Sequence, residues 1–139
     1  MDASDRKPWL GAAVLLGVVY FVIGFGFGAF ASWSGSNPVT WNRLAFLASG
    51  VAFAVHIGYE HFRLGNSPRM TALHASIAVA IGAFGLALSA NIHDLWWSAS
   101  GYRPRMIIAL IAWPLLTGVP AFIVALVVAA GLNLRRRST

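Results

Sequence analysis

The sequence has 139 residues, of which 58% are hydrophobic and 10% are charged, and its mean hydropathy is +0.71. Soluble domains carry about 25% charged residues and 45–50% apolar ones, so this composition excludes an ordinary soluble domain. The chain contains no cysteine, which excludes disulfides, thiolate metal sites and cysteine nucleophiles. The net charge of +6 comes from tails and connections rather than from one helix face, and we expect no nucleic-acid partner.

Four long stretches of the chain contain no charged residue. The hydrocarbon core of a bilayer is about 30 Å thick and takes about 20 apolar residues of helix. A lone strand would leave its backbone groups unpaired in lipid, so each stretch is expected to be an α-helix. The sequence therefore predicts an all-α integral membrane protein, a four-transmembrane antiparallel bundle forming a single domain over residues 1–139. The predicted helices cover about residues 9–32, 41–62, 70–93 and 106–134.

The first predicted helix is rich in glycine. Its apolar stretch is too long for the core of a secretory signal peptide, so we expect it to be retained. Gly24 and Gly28 form a small-xxx-small pair, a pattern that lets helix backbones approach closely in lipid. The pair has two interpretations, an interface between copies of the chain or a contact with another helix of the same chain.

The second predicted helix carries a polar stripe. At 100° per residue, one narrow face of it collects small and ionisable side chains, whereas His61 points about 140° away from His56. The third predicted helix has a matching stripe, and we expect the two stripes to face each other, with Glu60 close to both His56 and His74. The stripe on the second helix comprises Ala45, Ser49, Ala52, His56, Glu60 and Arg63, and that on the third comprises Thr71, His74, Ala78, Gly85 and Ser89.

Ionisable groups within a membrane are costly and therefore mark candidate functional sites. The inner polar site predicted here consists of His56, Glu60, His74, Ser49 and Arg63. One interpretation is a structural tether at the membrane boundary. A second is a site that holds or passes a proton or cation, because imidazole titrates near neutral pH. A third is a b-type haem with His56 and His74 as axial ligands. A zinc site is not expected, because zinc takes three or four protein ligands.

An outer polar cluster ends the third predicted helix. Asn91, His93 and Asp94 are followed by two tryptophans, and three arginines lie on the same side of the membrane. The cluster is interpreted as a headgroup-level anchor with a salt bridge, or as a gate or docking surface for a partner. In the fourth helix, Pro114 and Pro120 each lack the amide that would bond one turn back, which predicts a kink.

The orientation of the helices follows from the distribution of Lys and Arg. Short connections make neighbouring helices antiparallel, and seven basic residues lie on the side of the termini against three on the other side. Both termini are therefore expected in the cytoplasm, in a bacterial or archaeal cytoplasmic membrane. The seven are Arg6, Lys7, Arg63, Arg69, Arg135, Arg136 and Arg137, and the three are Arg43, Arg103 and Arg105.

The function expected from these features is that of an oligomeric transport or channel-like protein with the His/Glu site between its second and third helices. Its partners would be the lipid bilayer and either further copies of the chain or another membrane protein. The alternatives are a haem-binding electron-transfer subunit and a non-catalytic accessory subunit of a larger complex. The sequence has no nucleophile elbow, phosphate-binding loop or H-E-x-x-H motif, which disfavours an enzyme.

Reporter fusions test the predicted topology. A reporter placed after Pro38 or after Gly101 should be active on the external side, and one placed after Asn66 on the cytoplasmic side. An internal signal at Gly101 would contradict the four-span arrangement.

Overall fold

The computed structural model describes residues 8–35, 37–97, 103 and 105–137. The described chain forms four α-helices, and the second continues directly into a π-helix of five residues, so the all-α prediction is confirmed. The predicted helix bounds lie within a few residues of the observed ones, except that the second α-helix ends earlier. The elements are α1 (Pro8–Trp33), α2 (Pro38–Gly58), the π-helix (Tyr59–Arg63), α3 (Pro68–Trp97) and α4 (Arg105–Arg137).

Two connections share the same arrangement of residues. Gly35 and Gly65 have positive φ angles, of 58° and 64°, a conformation that glycine adopts without steric cost. A capping residue and a proline then begin the next helix. The Asn37 side chain accepts a 2.9 Å hydrogen bond from the amide of Val39 at the start of α2, and the Ser67 hydroxyl accepts from the amide of Met70 at the start of α3. Such caps satisfy amides that a helix start leaves without a partner.

Three of the described helices are long and apolar enough to cross a membrane. They cover Trp9–Trp33, Pro68–Trp97 and Arg105–Leu134, with mean hydropathies of 2.3, 1.8 and 2.4. α2 is not among them, since Asn42, Arg43 and His56 lower its hydropathy. The structure is thus compatible with a membrane location, and it supports three of the four predicted spans by length and composition.

α3 lies at the centre of the fold. It packs extensively against both α1 and α4, whereas α2 lies chiefly against α1 and makes few contacts with α3. The expectation that α2 and α3 face each other along the length of their stripes is therefore wrong, although the stripes do meet at their Glu60 end, where Glu60 lies beside both His56 and His74. Sequence neighbours were expected to pair, but the small residues of α3 pack more closely against α1 and α4.

The directions of the helices follow from their contacts. Gly17 of α1 lies against Ala78 of α3 and Gly24 lies against Leu86, so α1 and α3 run in the same direction. The side chain of Asn91 donates to the carbonyl of Met106, and Gly118 lies against Ala80. α3 and α4 therefore run in opposite directions.

Glycines allow the backbones of α1 and α3 to approach closely. A Cβ on Gly82 would lie 2.6 Å from the Cβ of Tyr20 and 3.0 Å from the carbonyl oxygen of Gly17, and one on Gly24 would lie 2.7 Å from Leu86. A Cβ on Gly28 would meet no atom of the described chain within 4 Å. Gly24 therefore makes a contact within the chain, whereas Gly28 faces outward.

α2, α3 and α4 meet in a buried cluster at the end of the fold that contains the end of α2. Large apolar side chains elsewhere point outward, such as Phe46 and Val127, which are 80% and 67% exposed. This distribution suits a lipid environment, in which exposed apolar side chains carry no penalty. The buried cluster comprises Ile57, Ala72, Ala75, Ala125 and Ala129, flanked by Phe53, Phe122, Leu126 and Leu132.

Gly82→Ala is predicted to destabilise the protein. The added methyl group would collide with the backbone of α1, and overpacking of this kind costs about 1–3 kcal/mol. Gly28→Ala is the matched control and should leave stability unchanged or slightly raised, because alanine favours the helix. Thermal unfolding in detergent measures both variants, and equal melting temperatures would contradict the close approach.

Candidate functional site

The π-helix positions the acidic residue of the site. The amide of Leu64 donates to the carbonyl of Tyr59 over 3.3 Å, the i to i+5 bond of a π-helix. The preceding turn is α-helical, so His56 and Glu60 lie one turn apart on the same face. π-Helical turns are rare and occur frequently at functional sites. This turn brings Glu60 to the point where the chain reverses into α3.

Glu60 is almost completely buried, with 1% of its surface exposed. Its Oε2 atom lies 3.0 Å from Nδ1 of His74 and accepts a short hydrogen bond from the side-chain amide of Asn66. Its Oε1 atom lies 3.7 Å from Nε2 of His56. Within the described chain, the ion-pair partners of this carboxylate are the two histidines rather than a lysine or arginine. The charge of the site therefore depends on how many protons the imidazoles hold.

The turn between the π-helix and α3 holds the carboxylate in place. The backbone amide of Asn66 donates to the carbonyl oxygen of Glu60 over 3.2 Å, and the side chain of Asn66 bonds to the carboxylate of the same residue. Gly65 allows this reversal through its positive φ angle. Two bonds thus join the acid to the turn.

His74 lies between the acid and an aromatic ring. Its ring stacks on that of Trp9, with the centroids 4.7 Å apart and the planes at 4° to each other. A cation over the face of an indole is stabilised by the ring quadrupole. The indole thus covers one face of the His74 ring, while the carboxylate of Glu60 lies at its Nδ1 edge.

Among the described residues, the ion-pair partners of Glu60 include no side chain with a permanent positive charge. For His74 to donate from Nδ1 to Glu60, this nitrogen must carry a hydrogen, while its Nε2 has no partner in the described chain. A buried carboxylate is costly unless it is paired, and an imidazolium supplies that pairing. A protonated His74 would form an ion pair with the Glu60 carboxylate, whereas a neutral His74 beside a protonated Glu60 would leave the pair uncharged.

The structure brings together three of the five residues predicted for the inner site. His56, Glu60 and His74 are buried in one group. Ser49 is half-buried, almost two helical turns before His56, and Arg63 is exposed at the end of the π-helix. The widened turn of the π-helix shifts Arg63 away from the face that a continuous α-helix would give it.

Three further residues of this region were not predicted. Trp9 stacks on His74, Asn66 bonds to Glu60, and His61 is buried with 2% of its surface exposed. The α-helical period places His61 about 140° away from His56, and the structure buries it on that other face. His61 follows the buried Ile57 by four positions, which places the two side chains on a common face. In the sequence, Trp9 is the first residue of a predicted helix and Asn66 lies in a predicted turn, and neither position indicates a contact with the site.

The outer cluster joins α3 to α4. The side chain of Asn91 donates to the carbonyls of Ala87 and Met106, both over 2.8 Å. Asp94 accepts from the amide of Arg103 over 3.1 Å, and the two side chains form a 3.9 Å ion pair. His93 lies apart from these bonds, exposed and stacked on Trp97. Asn91 and Asp94 thus have structural contacts that His93 does not share.

The geometry does not fit a haem between His56 and His74. Both imidazoles lie beside the carboxylate of Glu60, and a porphyrin between them would have to displace it. One face of His74 is also covered by Trp9. Among the described residues, no group of three or more histidine, aspartate and glutamate side chains is arranged to hold a metal ion.

Comparison with protein-family models, with curated proteins and with solved structures found no match to the chain. The function is therefore argued from the site itself.

Removal of the Glu60 side chain is predicted to destabilise the protein strongly. Glu60→Ala leaves the buried His74 and the half-buried Asn66 without their partner, and breaking a buried pair costs roughly 3–5 kcal/mol. Asp94→Ala is the comparison, since it removes a carboxylate whose partner Arg103 is half exposed; exposed pairs contribute about 1 kcal/mol or less. Unfolding in detergent measures both losses, and similar values would contradict a buried, paired Glu60.

Proposed function

We propose that this protein is a small membrane transport or channel-like protein that passes protons through the group formed by His56, Glu60 and His74. The observation that carries the proposal is a carboxylate with 1% exposure whose ion-pair partners in the described chain are imidazoles. An arginine or lysine partner would stay charged at every physiological pH. An imidazole changes its charge within that range, so the group can take up and release a proton.

The position of the group suits this role. It lies beside the buried cluster in which Ile57 of α2 meets residues of α3 and α4, and Trp9 adds the first turn of α1. All four helices therefore reach this level of the fold. A change of charge here acts on contacts between several helices, and ionisable groups in the interior of a membrane bundle mark ion pathways and proton relays.

The proposal includes four membrane spans with both termini in the cytoplasm. α1 and α3 run in the same direction, so the chain has to cross back to the starting side before α3 begins. α2 lies between them in the chain and packs against α1, so α2 is the helix that crosses back. Its 21 residues extend for about 30 Å at 1.5 Å per residue, close to the thickness of the hydrocarbon core. The excess of Lys and Arg near the termini and the 63–69 connection supports a cytoplasmic location for the Glu60 end.

Self-association belongs to the same proposal. Glycines bring the backbones of α1 and α3 into close contact. A single copy of the chain therefore has little room for a continuous proton path between these two helices. Gly28 has open space where a Cβ would lie and offers a position on α1 at which another copy could approach closely.

The experiment is a proton-flux measurement on the reconstituted protein. Proteoliposomes that contain a pH-sensitive dye are given a potassium diffusion potential, and the wild type is expected to acidify or alkalinise the lumen faster than protein-free liposomes. Glu60→Gln keeps the shape of the side chain and removes its charge, so its rate should fall to that of empty liposomes. His93→Ala, which changes an exposed histidine of the outer cluster, should keep the wild-type rate.

Two results would overturn the proposal. One is a wild-type rate equal to that of empty liposomes, and the other is an unchanged rate in Glu60→Gln when the variant is folded. An accessory role would then be favoured if Glu60→Gln also lost a membrane-protein partner in co-purification. A Soret band in the purified protein would favour the haem-binding alternative.

A further inference from the structure

At the end of the fold that contains Glu60, several buried polar atoms have no hydrogen-bond partner in the described chain. Thr71 is completely buried, and its hydroxyl has no partner. His61 is 2% exposed, and neither of its ring nitrogens has a partner. The same holds for Nε2 of His74 and for both ring nitrogens of His56, although Nε2 of His56 lies 3.7 Å from the carboxylate. Native structures rarely leave buried polar atoms without partners, and such atoms mark sites that water or an ion occupies.

These atoms are concentrated at one end of the fold. The other buried side-chain atom without a partner in the described chain is the hydroxyl of Tyr20. Tyr20 packs against Gly82, about 12 Å further along α3 than His74. It is therefore separate from the group at the Glu60 end.

The fold places Thr71 and His61 beside the site. Thr71 precedes His74 by three positions, so the two side chains lie on neighbouring parts of one face of α3. His61 follows Ile57 by one turn, and Ile57 belongs to the buried cluster of α3 and α4 that includes Ala72. Both residues thus lie where the π-helix meets the first turns of α3.

We propose that Thr71 and His61 form a binding site for water molecules, which extends the Glu60 group toward the cytoplasmic end of the bundle. A hydroxyl group donates one hydrogen bond and accepts others, and a neutral imidazole donates from one nitrogen and accepts at the other. These are the partners that a buried water requires, since it makes two to four hydrogen bonds. The chemistry excludes a purely apolar ligand, which would leave every one of these atoms unsatisfied.

The water site rests on the proposed function and gives it an entry route. A hydronium ion at this site transfers a proton to Nε2 of His74, and a neutral water molecule remains. The imidazolium that forms keeps its Nδ1 hydrogen on the carboxylate of Glu60. Trp9 stabilises it through its ring face.

The melting temperature of a Thr71→Val variant tests the proposed water site. Valine has nearly the shape of threonine and lacks the hydroxyl, so the exchange removes the polar atom alone. If the hydroxyl binds water, the variant loses these hydrogen bonds and its melting temperature falls below that of the wild type. If the hydroxyl is dry, the exchange relieves an unsatisfied buried group and the melting temperature rises.

The control for this exchange is Thr117→Val. The hydroxyl of Thr117 bonds to carbonyls of its own helix, those of Trp113 and Pro114, so its replacement calibrates the effect of valine in a helix of this protein. Thr71→Val must be more destabilising than Thr117→Val. An equal or smaller loss, or a gain, overturns the water site.

Solid-state NMR provides a second measurement that does not depend on folding of a variant. In wild-type protein in bilayers, magnetisation transferred from water should reach Thr71 and the ring of His61 faster than Ala75, which is fully buried without a polar side chain. Transfer to Thr71 as slow as to Ala75 overturns the proposal. The readout needs no ion flux, so a hydrated Thr71 in a protein without flux would retain the water site and reject the transport function.

Discussion

A carboxylate removed from water must be satisfied by its neighbours, and most of the local structure around Glu60 serves that requirement. The π-helix brings the acid to the point of reversal, and the turn supplies Asn66 as a donor. The cap at Ser67 begins α3 at the position from which His74 reaches the same oxygen. Trp9 then covers the far face of the imidazole. Without these contacts the burial of the acid would be too costly to maintain.

Much of this site follows from sequence spacing, and some of it does not. His56 and Glu60 are four residues apart on a helix, and a four-residue connection places His74 opposite them, so their proximity could be predicted. The burial of His61 was missed, because His61 lies off the polar stripe of His56 and Glu60 and shares instead the face of Ile57, one turn earlier. Trp9 was also missed, since its contact with His74 depends on which helices are neighbours.

The sequence also did not predict which helices are neighbours in the fold. In lipid there is no hydrophobic force to select a partner, so close packing of small side chains decides which helices associate. α3 has small residues on two faces, and Gly82 and Gly118 allow α1 and α4 to approach it from different sides. α2 presents Phe46, Leu47 and Val51 outward and pairs mainly with α1. Chain adjacency is therefore a poor guide to contact in this fold.

The connection between Gly65 and Pro68 has a consequence for how length variation acts on this protein. Surface turns generally tolerate insertions, because a longer loop adds only a small entropic cost. Here the same four residues fix the distance between an acid and its base, since Asn66 bonds to the backbone and the side chain of Glu60. One inserted residue adds up to about 3.5 Å of reach, more than the 3.0 Å that separates Glu60 from His74. The turn is therefore a spacer of fixed length, and an insertion or deletion in it would change the distance between Glu60 and His74.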